Sequence, residues 1–132
     1  MKQKSEFSTQ RSMALLNSFR EALARESYIT VRKIFKEAAD APAPRFWVGE
    51  NRAARIVSMM LKGADPTSGM NTEKRKMYLE IYRRVKELKT LNPEAPVGDL
   101  VFEVVNSPAP HSYLSWQRAR EIIADARHKK RL

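Results

Sequence analysis

Apolar residues recur at helical spacing in six stretches of this chain, and caps or prolines separate the stretches. Leu15, Leu16, Phe19, Ala22 and Leu23 share one face, with Arg11, Arg20, Glu21 and Arg25 on the polar side, so a helix is predicted over Ser12 to Glu26 with Ser8 or Ser12 as its cap. A turn is expected at Glu26 to Ile29. Thr30 then caps a second helix whose stripe is Val31, Ile34, Phe35 and Ala38. That helix must stop before "APAP", because proline lacks an amide hydrogen and biases the preceding residue away from helix. "RFWV" reads as extended, and Gly49 opens a third helix with Ala53, Ile56, Val57, Met60 and Leu61 on one face.

"KGADPTSGMN" forms a loop, and Asn71 or Thr72 caps a fourth helix with Tyr78, Ile81, Tyr82, Val85 and Leu88 inward. "NPEAP" ends it. The following "VGDLVFEVVN" is rich in valine and suits a strand as well as a helix. Ser115 caps the last helix, with Ala119, Ile122, Ile123 and Ala126 inward.

An internal offset resolves the ambiguous stretch. Moved by 66 positions, Glu37, Pro42, Ala43, Pro44, Arg52, Ala53 and Ile56 fall on Glu103, Pro108, Ala109, Pro110, Arg118, Ala119 and Ile122, which is seven identities in twenty ungapped positions. Trp47 falls on Tyr113 and Val48 on Leu114. "VGDLVFEVVN" therefore corresponds to "VRKIFKEAAD" and is read as helix. Each copy runs helix, Pro-Ala-Pro, aromatic, aliphatic, cap, helix, and the aromatic is expected to pack in the angle between helices. The long helix Thr72 to Leu91 matches the first helix as the remaining part of each unit. The expected fold is all-α: about six helices in two tandem related helix–PAP–helix units, about 8–66 and 70–132, forming one compact bundle and one domain over 1–132. Residues 1–7 and 128–132 are expected to be flexible.

Composition sharpens the expected partner. Lys and Arg number 25 against 15 Asp and Glu, a net charge of +10. Such an excess favours polyanions. The chain has no cysteine, which removes disulfides and thiolate zinc sites. "MKQKSEFSTQ" has no apolar run of the secretory kind, and "IVSMML" and "LVFEVV" are too short to cross a bilayer. The expectation is a cytoplasmic protein that does not bind membranes.

Arg52 and Arg118 stand in the first turn of their helices, where the helix dipole disfavours a cation. Two readings follow. Glu37 and Glu103 recur with them, so each Glu–Arg pair can lock two helices, and this is the favoured reading. The alternative is a contact to phosphate or to a base edge.

"GENRAARIVSMMLK", preceded by a helix and a break, resembles helix-turn-helix DNA-binding proteins. The resemblance implies that the second helix enters the major groove with its early residues on bases. In this chain Glu50, Asn51, Arg52 and Arg55 would read in the first copy, and Gln117, Arg118 and Arg120 in the second. The "APAPRFWVG" link is longer than the usual turn of about three or four residues. "PAPRFWV" with "RAARIVSMMLKG" and "MYLEIYRRV" also resembles a family of small, basic, uncharacterised bacterial proteins, which implies no activity.

Outside the repeat, Lys74, Arg75, Arg83 and Arg84 of the fourth helix could follow a phosphate backbone, although Glu80 precedes Arg84 at the spacing of a surface pair. Lys129, Lys130 and Arg131 form a basic tail. Trp116, just after a cap, is expected to be exposed and able to meet bases or a protein partner. His111 and His128 have no cysteine, helical partner histidine or acidic cluster near them in sequence, and no phosphate loop or metal spacing occurs. The chain is thus expected to be non-enzymatic, without cofactor or metal. The sequence favours a nucleic-acid-binding protein, with DNA ahead of RNA; a protein-interaction or scaffold module is the alternative.

Overall fold

The computed structural model describes residues 7–25 and 30–131. The expectations for residues 1–6, the turn at 26–29 and residue 132 lie outside the described residues. Six helices follow in order: α1 (Ser8–Arg25), α2 (Val31–Asp40), α3 (Glu50–Leu61), α4 (Thr72–Leu91), α5 (Val97–Val105) and α6 (Trp116–Arg131). No strand occurs among the described residues, and "VGDLVFEVVN" is helical.

Local chemistry sets most boundaries. Thr30 and Asn71 cap α2 and α4 through side-chain oxygens that accept from the Lys33 and Lys74 amides at 3.2 and 2.9 Å. Ser115 caps α6 by accepting from the Arg118 amide at 3.1 Å. Gly63 ends α3 with φ of 93°, and its amide and that of Ala64 return to the Met60 and Met59 carbonyls. This closing turn favours glycine because its φ is positive.

Two ends differ from expectation. Phe7 is buried rather than frayed, and its carbonyl accepts from the Arg11 amide, so α1 starts a turn before Ser12. At the other end, the segment expected as a flexible arm continues α6 through Arg131, and Asp125 pairs with Lys129 at 3.1 Å across one turn. Leu23, Val31 and Leu61, assigned to inner faces, are exposed.

The residues pack as two compact units, Met1–Ala43 with Ala109–Leu132, and Pro44–Pro108. In the first unit α1, α2 and α6 enclose Leu15, Leu16, Phe19, Ala22, Ile34, Ala38, Ile122, Ile123 and Ala126. The Phe19 and Phe35 rings stack at 5.2 Å. In the second unit α3, α4 and α5 pack on one another, with Phe46, Val57, Tyr78, Ile81, Val85, Val101 and Val105 fully buried. Each unit therefore takes two helices from one half of the sequence and its third from the other half.

The Pro-Ala-Pro segments make this exchange. In the first unit Ala43 and Ala109 bond reciprocally at 2.9 and 2.8 Å, and the Ser112 amide donates to the Ala39 carbonyl at 2.9 Å. In the second unit the Phe46 amide donates to the Val105 carbonyl at 3.0 Å. Residues 46 and 112, and likewise 105 and 39, stand 66 positions apart. The aromatic pair departs from that correspondence. Trp47 is buried, whereas Tyr113 is half-buried at φ of 56°, with its ring edge-on to His111.

Candidate nucleic-acid interface

The hydrogen bonds and ion pairs of the cations sort them into struts and free donors. Arg84 is a strut. Its Nε donates to Glu80 at 2.8 Å, its Nη1 to the Pro108 carbonyl at 2.8 Å and to Ser107 at 3.3 Å, and its guanidinium lies 5.0 Å from the centre of the Phe46 ring. Arg83 spans Glu80 and Glu87. Hydrogen bonds from Arg83 and then Arg84 hold Glu80 below its ordinary value against the opposite push of burial, and those acids raise Arg83 above its own. Arg75 pairs with Asp65 at 3.6 Å and Lys76 with Glu73 at 3.9 Å. Most of the basic face expected on α4 is thus neutralised by the chain itself. Among its candidates, Lys74 is exposed with no ion pair among the described residues, whereas Arg75, Arg83 and Arg84 are engaged.

The Glu–Arg pairs expected to lock helices do not form. Glu37 pairs instead with Arg25 at 3.7 Å. Arg52 donates to the Tyr78 hydroxyl at 3.3 Å, and Arg118 pairs with Glu121 at 3.0 Å. The exchange is the reason: α2 packs on α6 and α5 on α3, so neither glutamate packs with the helix that follows it in sequence. For the same reason the helix-turn-helix pair is not formed by consecutive helices. The helix beside the end of α5 is α3, and Asn106 donates to Glu50 at 3.2 Å.

Asn51 and Arg55 are exposed on α3. Gln117, Arg118, Arg120 and Lys129 are exposed on α6, while Trp116 is half-buried rather than exposed. Lys130 and Arg131 belong to the helix, but their side chains lie outside the described residues. Charge concentrates in the first unit. Its sequence holds 14 Lys and Arg against 7 Asp and Glu, net +7; that of the second unit holds 11 against 8, net +3. α6 alone has six basic residues against Glu121 and Asp125.

α1 and α6 run in the same direction. Arg118 acts on Arg11 early in both helices, and Arg127 lies 5.4 Å from the centre of the Phe19 ring farther along both. The expected site residues did not include Arg11 or Arg127. Arg11 had been read only on the polar face of its helix, and Arg127 only as the first residue of the basic stretch "RHKKRL". Among the described residues no group of three or more His, Cys, Asp or Glu is placed to hold a metal, and no helix is long and apolar enough to cross a membrane.

Comparison with protein-family models, curated proteins and solved structures found no match.

Proposed function

We propose that this chain is a small nucleic-acid-binding protein, DNA ahead of RNA, with α6 as its principal contact helix and α3 as the counterpart in the second unit. The observation that carries this reading is the cation excess of α6, six against two, on a helix whose early residues Gln117, Arg118 and Arg120 are exposed. Arg120 has no ion pair among the described residues. Arginine and glutamine at the start of an exposed helix suit phosphates and base edges.

The two halves of the sequence are, on this reading, copies of one unit with their third helices exchanged. The hydrogen bonds at matching 66-residue positions support it. In space α2 and α6, and α5 and α3, then take the parts of first and second helix. A protein-interaction module is the second reading, favoured by the exposed apolar side chains Phe102 and Leu91 in the second unit.

Fluorescence anisotropy with labelled duplex and single-stranded oligonucleotides across a salt series tests the proposal. Binding should weaken steeply with salt. Arg120→Ala should reduce the slope of log K against log salt by about 0.9, the value for one phosphate on duplex DNA. Arg83→Ala, which removes a cation already neutralised, should leave the slope unchanged. Wild-type binding that is flat with salt, or absent at physiological salt, would sink the reading.

A further inference from the structure

Arg11 is placed unfavourably for a residue that only supports the fold. Its Nε is buried and has no hydrogen-bond acceptor among the described residues. Its guanidinium lies 5.5 Å from the centre of the Phe7 ring, and Phe7 is itself buried. No acidic side chain pairs with it among the described residues. Burial depresses its pKa below the ordinary arginine value, and the like charge of Arg118 depresses it further. Arg127 over the Phe19 ring fixes the register of α6 on α1 and brings Arg118 to the level of Arg11, and a half-buried guanidinium with an unmet donor near a second cation costs stability.

The second unit shows that the architecture does not require this arrangement. The position 66 residues on from Arg11 is Met77, which is buried. There the counterpart of Arg118, Arg52, donates to the Tyr78 hydroxyl. The first unit thus has two guanidiniums where the second has a thioether and a single guanidinium held by a phenol. Arg118 has one partner, Glu121, and that pair is half-exposed or more on both sides, so giving it up costs little. A phosphate suits the pair through their outer nitrogens, while the Arg11 Nε stays enclosed. The phosphate oxygens accept charge-assisted bonds from two guanidinium forks, and the phosphate charge relieves their repulsion.

We propose that Arg11 and Arg118 together bind a phosphate group on the α1–α6 face of the first unit. That the phosphate belongs to a nucleic-acid backbone rests on the function proposed above; the chemistry of the site would equally hold a free phosphorylated molecule.

Two readouts on the full chain test this. The first compares wild type, Arg11→Met and Arg118→Gln for affinity to a fluorescein-labelled DNA duplex across salt. The second follows the Arg11 Nε–H resonance by NMR as inorganic phosphate is added. Arg11→Met installs the residue of the second unit, so it should melt at a higher temperature than wild type. It should nevertheless bind the duplex more weakly, with a slope shallower by about 0.9, and Arg118→Gln should lose a similar amount. Phosphate should shift the Arg11 resonance in wild type and not in Arg118→Gln.

If wild type binds the duplex, Arg11→Met keeps the full slope, and phosphate leaves the resonance unmoved, the site is overturned while the nucleic-acid reading stands. If the duplex is ignored but phosphate moves the resonance, the site stands for a free phosphorylated molecule and the nucleic-acid reading falls. Should Arg11→Met fail to fold, the wild-type titration decides alone.

Discussion

Arg83 and Arg84 are adjacent and chemically identical, yet the fold gives them different work. Arg83 spans Glu80 and Glu87 on the surface of α4. Arg84 reaches off its helix to the Pro108 carbonyl and lies over Phe46. Arg45, nearly buried, likewise serves the backbone, donating to the Phe46 and Val48 carbonyls at 2.9 and 2.6 Å. Arg84→Ala should therefore lower the unfolding free energy in urea by about 1–3 kcal/mol, since it leaves a carbonyl acceptor and Glu80 short of a partner. The same variant should leave the salt dependence of nucleic-acid binding unchanged, which separates a strut from a contact. Spacing made the Glu80–Arg84 pair legible, because four residues span one helical turn. Nothing local could reveal Pro108 as a partner, because it lies far along the chain.

At the scale of elements, local chemistry wrote most of the ends. Thr30, Gly49, Asn71 and Ser115 each stand at the start of the helix they were read to open. α2 has ten residues, so its cap is a large share of its local stability. Thr30→Ala should cost about 1 kcal/mol in a chemical denaturation series, with little change in the folded-state helix signal. Of the two starts offered for α1 the one at Ser8 holds; what the pattern missed is Phe7, which lies among polar neighbours and has no periodic partner, yet tertiary packing buries it. Trp116 went the same way: its place after a cap suggested exposure, and the packing of the unit half-covers it.

For the whole molecule the consequence is topological. The loop between α3 and α4 separates the two halves of the sequence, yet the first unit needs α6 and the second needs α3. A protease site inserted between Ser68 and Gly69, both exposed, can be cut in the folded protein. The two fragments should then co-elute as one particle on size exclusion and retain the helical signal of the uncut chain. Separation into two independent peaks would show that each half packs by itself. The charge imbalance belongs to this scale too, since the first unit holds most of the net charge whichever helix makes the contact.

Periodicity, prolines and caps were enough to determine six helices, their order and most of their inward residues, because these depend on groups a few positions apart. The 66-residue offset also decided that "VGDLVFEVVN" is helix rather than strand. Which helix packs on which was left to the tertiary structure. The Pro-Ala-Pro segments carry α3 and α6 away from the helices that precede them, and backbone bonds such as Ala43 to Ala109 join residues that no local pattern connects. That exchange replaced the expected Glu–Arg pairs, dissolved the consecutive helix-turn-helix, and brought Arg11 beside Arg118. Charge could be counted from the sequence. Whether each cation was spent on an acid, a carbonyl or a ring, or left with unmet donors, depended on neighbours that only folding supplies.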